Sequence, residues 1–202
     1  MKIDYVTHKL EEKNYIPIEC IKKQIVIGNT NNKDMKHVIG WGKRYNGQYK
    51  KTAAFTIDSD GLVYQHFDPK FQSKYFGKLE LDSKSIIILL ENEGCLTIKN
   101  DNSLFYNWKG DIYNGSFEYK LWRGNNMWAH YSDKQFASCI ELVNKLCEDF
   151  FIPKESTSHN TKIDDLTDLH CVIYKSNIER YYNDLSPAWD FIKFKYELEN
   201  KE

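Results

Sequence analysis

Gln24-Ile25-Val26-Ile27-Gly28-Asn29-Thr30 decides how this chain is read. Consecutive β-branched residues ending at a glycine and a polar turn give a strand buried on both sides, because neither side of its pleat is polar. Downstream, Ser85-Ile86-Ile87-Ile88-Leu89-Leu90-Glu91 repeats the pattern and reads as a central strand covered on both faces. Between the two, residues 53–57 and 62–66 flank Ser59-Asp60-Gly61, a hairpin signature, since Asp-Gly tolerates the positive φ such turns require. Residues 169–174 add a short strand near the end of the chain.

Helices fall between these strands. Asp34 is placed to cap a helix from 35 to about 45, stopped by Asn46-Gly47. Ser132 caps a longer one, in which Phe136, Cys139, Ile140, Val143, Leu146, Cys147 and Phe150 recur at helical spacing before Pro153 ends it. Residues 94–130 follow no period and carry Gly, Asn and aromatic residues, as an insertion with short strands does. A leader over 1–20, a polar loop over 154–168 and a closing segment over 181–191, followed by a charged tail, complete the chain. The expected class is α/β: a single domain over 1–202 with its core in 24–191, a mixed β-sheet flanked by helices.

Composition narrows the function. With 41% hydrophobic residues the chain is globular rather than disordered, and at 202 residues it can bury a substantial core. Net charge is −1 with no basic block, so phosphate-driven nucleic-acid binding is not expected. No run approaches the roughly 20 apolar residues of a membrane span, and the N-terminus lacks the apolar core of a secretory signal. Cys20, Cys95, Cys139, Cys147 and Cys171 are odd in number and form no Cys-x-x-Cys pair, which suits reduced thiols in a cytosolic setting.

Five segments in order resemble the type 2 N-acetylmuramoyl-L-alanine amidases, which include phage lysozyme-amidases and peptidoglycan recognition proteins. Ile25-Val26-Ile27-Gly28-Asn29-Thr30 resembles a strand that ends in Ile-Val-x-His-x-Thr in that family; Gly28 stands where a zinc-binding histidine is expected. Ala53-Ala54-Phe55-Thr56-Ile57-Asp58-Ser59-Asp60-Gly61 resembles the family hairpin, with Ala53 in place of an assisting tyrosine. Tyr75-Phe76-Gly77 keeps the glycine of a His-Ala-Gly element and loses the histidine, and Gln135 matches a glutamine at the start of the long helix. Asp184-Leu185-Ser186-Pro187-Ala188-Trp189-Asp190-Phe191 resembles the closing motif, so Asp184 falls on a ligand position; Lys175, nine residues upstream, replaces a ligand histidine, and Tyr182 replaces an assisting lysine.

The resemblance implies a groove for cell-wall glycopeptide, bordered here by Asn29, Trp41, Tyr45, Tyr75, Trp108 and Trp122. It also implies a zinc site, but the donors are changed. Gly28 has no side chain and Lys175 repels a dication, which leaves Asp184 as the remaining ligand-type residue, so no metal and no catalytic residue is expected. A Lys175–Asp184 ion pair is the expected substitute for the metal; the alternative is two solvated surface charges. His8, His37, His66, His130, His159 and His170 offer no i, i+4 ligand pair, and Cys171 has no evident activating base.

The reading that follows is a catalytically inactive amidase-like domain, phage-encoded, found in the host cytoplasm or the virion. It binds peptidoglycan fragments or serves as a virion structural or accessory protein among other phage proteins, without nucleic acid or membrane as partner. One alternative is an active amidase, endolysin-like, with zinc in a rearranged site. Another is a binding protein for a different small ligand or partner in the old groove.

Overall fold

The computed structural model describes residues 1–43, 51–99, 104–159, 161–166 and 168–200. The chain begins with strand β1 (Ile3–Asp4), a 3-10 turn (Glu12–Asn14) and β2 (Ile16–Glu19), then β3 (Gln24–Asn29) and helix α1 (Lys36–Lys43). Strands β4 (Phe55–Ile57), β5 (Val63–Gln65) and β6 (Phe71–Gln72) lead to α2 (Leu79–Lys84) and β7 (Ser85–Leu90). The insertion holds β8 (Thr97–Ile98), β9 (Phe105–Tyr106), β10 (Ile112–Tyr113), β11 (Phe117–Trp122) and β12 (Asn125–Ala129). Helix α3 (Asp133–Phe150), β13 (Val172–Tyr174), the short α4 (Lys175–Ile178) and α5 (Phe191–Asn200) close the domain.

The main sheet has six strands in the order β1-β5-β4-β7-β3-β13. It is mixed: β4, β7, β3 and β13 run parallel to one another, and β5 is antiparallel to β4. The two apolar runs become the central pair, every residue of β3 and β7 being buried, with Ile25 opposite Ile86 and Gly28 opposite Leu89. That placement is the reason those strands lack a polar face.

Helix α3 starts as expected, with Ser132 Oγ accepting the Gln135 N–H at 3.1 Å. Gln135 then fastens the helix to the sheet, its Nε2 donating to the carbonyls of Ile57 (2.9 Å) and Glu91 (3.0 Å). The charged tail is a correction. It forms α5, which buries Phe194 and Leu198 against the core, and the Phe136 and Phe194 rings meet edge to face at 6.2 Å. Helix α1 is also corrected at its start. Asp34 and Met35 have left-handed backbones (φ 55° and 52°), so Asp34 cannot take the extended form of an N-cap. Glu91 serves instead, its Oε1 accepting the Met35 N–H at 2.9 Å. The expected end of this helix, near residue 45, lies outside the described residues.

Candidate functional site

Three elements meet at the end of β3. Gly28 lies in the strand, Lys175 opens α4 directly after β13, and Asp184 comes from the closing segment. Lys175 Nζ stands 2.9 Å from Asp184 Oδ2, and both side chains are buried, at 11% and 2% exposure. The same carboxylate oxygen accepts the Asn29 N–H at 3.0 Å. The aliphatic stem of Lys175 passes over Gly28: a β-carbon there would meet Lys175 Cδ at 3.0 Å and Asp184 Oδ2 at 2.8 Å. The ion pair expected from the sequence is therefore present, and it is buried rather than solvated.

Two tyrosines surround the ammonium. The Tyr182 ring centroid is 4.7 Å and the Tyr75 centroid 5.5 Å from Lys175 Nζ, within cation–π range. Burial opposes the charge, but Asp184 and then Tyr75 outweigh it, and the lysine is held above its ordinary pKa. Lys175 is thus a fixed cation at neutral pH, with no free base form to act as a nucleophile.

A groove of about 440 Å³ opens over this cluster. Its lining includes Asn29, His37, Trp41, Tyr75, Trp108 and Tyr182 together with Lys175 and Asp184. Trp108, 59% exposed, and Tyr181, 72% exposed, offer open aromatic faces, whereas Trp41 is almost wholly buried. Trp108 is pinned to the loop after β3, its Nε1 donating to the Asn31 carbonyl at 2.6 Å, and its neighbour Lys109 bonds the Asn32 side chain. One position expected to border the groove does not line it. Trp122 is a correction: it packs against Trp128 (5.5 Å) and His159 (4.9 Å) beneath the Arg123 guanidinium. Ala53 is fully buried ahead of β4. Tyr45 lies outside the described residues.

Two positioning residues escaped the sequence reading. The Asp82 carboxylate accepts the backbone N–H groups of Tyr75 (3.2 Å), Phe76 (2.8 Å) and Gly77 (3.0 Å), which sets the turn that presents Tyr75. Arg123 occupies the two-residue turn between β11 and β12, where Arg123 and Gly124 both have positive φ, as a type I′ hairpin requires. From there its guanidinium donates to the carbonyls of Ser176 (3.2 Å), Glu179 (3.4 Å) and Tyr182. That clamp fixes the segment linking Lys175 to Asp184. An Arg-Gly pair between two aromatic-rich runs was its only local signal; the carbonyls it reaches lie more than fifty residues away.

Among the described residues, no group of three or more His, Cys, Asp or Glu side chains comes together to hold a metal ion, and no helix is long and apolar enough to cross a membrane.

Comparison with solved structures returns the same architecture. The chain is similar to N-acetylmuramoyl-L-alanine amidase LysC from Clostridium intestinale URNW, with a TM-score of 0.56 and 13% identity over 98% of this chain and 97% of that one. It is similar to a mutant endolysin from Bacillus subtilis (TM-score 0.56, 15% identity, 98% and 99% covered) and to the catalytic domain of XlyA (0.58, 14%, 98% and 99%). At such identities the likeness concerns the fold. No match was found among curated protein sequences. The family profile for N-acetylmuramoyl-L-alanine amidase matches residues 19–173, which carry the main sheet apart from β1 and the last residue of β13, the insertion and α3. The chain belongs to the N-acetylmuramoyl-L-alanine amidase family.

Proposed function

We propose that this protein is a family member in which an internal cation has replaced the catalytic metal, and that it binds peptidoglycan fragments without hydrolysing them. The observation that carries the reading is the Lys175 ammonium, 2.9 Å from Asp184 Oδ2 with its stem laid over Gly28. A zinc ion needs about three donors and an open position. Here Gly28 offers none, Lys175 is positively charged, and Asp184 is already engaged by Lys175 and the Asn29 N–H. These residues do not fit the metal, and no hydrolytic step is derived through it.

Family membership supports peptidoglycan as the ligand, and the aromatic and amide side chains of the groove suit a glycopeptide. A phage virion or the host cytoplasm is the proposed setting, where the same domain could equally pack as a structural or accessory unit. The test pairs metal analysis of the purified protein with incubation on purified cell wall. The expected result is sub-stoichiometric zinc, no release of stem peptides, and retention of the protein by the insoluble wall. Stoichiometric zinc with peptide release would overturn the reading.

A further inference from the structure

A chain of hydrogen bonds runs from the N-terminal segment to the groove. His66 Nδ1 lies 2.9 Å from the carbonyl oxygen of His8, Thr56 Oγ1 lies 2.8 Å from His66 Nε2, and His37 Nε2 lies 3.0 Å from Thr56 Oγ1. His37, Thr56 and His66 are all buried. Burial pushes His66 down to about 4 and His37 down to about 3, so both rings are neutral at pH 7.

The hydrogens are then fixed by elimination. A carbonyl only accepts, so His66 carries its hydrogen on Nδ1. Its Nε2 is a bare lone pair, and Thr56 donates to it. Thr56 has one hydroxyl hydrogen, so His37 Nε2 is the donor to Thr56. His37 Nδ1 is therefore left as a lone pair without a hydrogen. That nitrogen is buried and has no hydrogen-bond partner among the described residues. Such an acceptor costs free energy and calls for an explanation. His37 lines the groove beside Trp41, whose ring meets both His37 and His66 edge-on at 5.2 Å.

We propose that His37 is a ligand-binding residue of the groove: its Nδ1 accepts a hydrogen bond from an N–H or O–H of a bound glycopeptide fragment, and Thr56 and His66 lock it in the accepting tautomer. The inference rests on the reading of the groove as a peptidoglycan-fragment site. It adds a selection rule, because a fixed acceptor favours a donor and repels a carbonyl or carboxylate. Nδ1 is out of contact with bulk water, so ligand entry must shift the surrounding side chains slightly to reach it.

The test is long-range ¹⁵N–¹H correlation of the histidine rings in the full-length protein. The probes are N-acetylmuramoyl-L-alanyl-D-isoglutamine, the L-alanyl-D-isoglutamine dipeptide and an N-acetylglucosamine trimer. The free protein should show His37 with its hydrogen on Nε2. The Nδ1 resonance should move on addition of the muramyl dipeptide. A like shift with the dipeptide alone assigns the donor to the peptide, and one with the trimer assigns it to the sugar. His37→Phe should weaken binding about five- to tenfold. Thr56→Val, which leaves the groove lining intact, should weaken it less and let the His37 hydrogen distribute over both nitrogens.

A hydrogen on Nδ1 in the free protein overturns the proposal. So does a muramyl dipeptide that perturbs the Trp108 indole while leaving His37 Nδ1 unmoved; the peptidoglycan reading survives that result. If no probe perturbs any groove resonance, both fall. The measurements on the parent protein stand even if His37→Phe does not fold.

Discussion

The stem of Lys175 occupies the space that a side chain at Gly28 would need. A β-carbon on Gly28 would stand 3.0 Å from Lys175 Cδ, closer than ordinary packing allows. Gly28 lies in regular strand pairing opposite Leu89 and is not among the positive-φ glycines, so its role is steric rather than conformational. The two positions are therefore coupled: a lysine that reaches Asp184 requires a residue without a side chain beneath it.

Removing the ammonium should be costly. Lys175→Met leaves the Asp184 carboxylate buried without its counter-charge, and urea denaturation should show a loss of about 3–5 kcal/mol. The double variant K175M/D184N should recover most of it, because the uncompensated charge is gone as well. A K175M protein as stable as the parent would show that the pair contributes nothing.

Gly28→His alone should destabilise the protein, since the ring collides with the lysine stem and with Asp184 Oδ2. In G28H/K175H the stem is shortened and two imidazoles join one carboxylate, a donor set that suits zinc. Metal analysis should find stoichiometric zinc in the double variant and none in either single one, with a zinc-dependent rise in Tm. A double variant that stays free of zinc would argue against this place as the ancestral metal position.

Acidification should weaken the fold. The unfolded chain takes up protons on His37 and His66 near pH 6.5, whereas the folded protein resists until about pH 3 and about pH 4. Their contribution is complete above pH 6.5 and is lost as pH falls toward 4; at pH 5 it has dropped by about 2 kcal/mol for each ring. Asp82 and Glu91, raised by burial, act in the opposite sense and offset part of the loss as pH falls through their folded values. Urea midpoints at pH 7.5 and pH 5 should differ accordingly, and His66→Gln should flatten the dependence. A midpoint independent of pH would mean that the rings already charge inside the fold.

Arg123→Ala should release the segment that carries Tyr182. Amide hydrogen exchange over 176–182 should accelerate, with a stability loss of about 1–3 kcal/mol for the carbonyls left without their donor. Unchanged exchange there would show that the closing segment holds itself.

Much of the framework was legible in sequence because it rests on local pattern. The apolar runs of β3 and β7 and the stripe of α3 carry their own periodicity. The tail was misread although Phe191, Phe194 and Leu198 already fall at i, i+3 and i+7; its charged residues masked a narrow apolar stripe. In the site, Lys175 and Asp184 could be paired because two charges stood where metal ligands were expected. Trp122 could not be placed, since an aromatic side chain in an insertion points wherever distant partners allow. Arg123 and Asp82 were missed for the same reason: their partners are backbone groups, which no sequence pattern marks.

The contacts from Trp108 to Asn31 and from Lys109 to Asn32 tie the insertion to the loop that follows β3. The insertion therefore cannot swing away from the end of β3 without breaking both bonds, and the exposed Trp108 ring keeps a fixed place beside the groove.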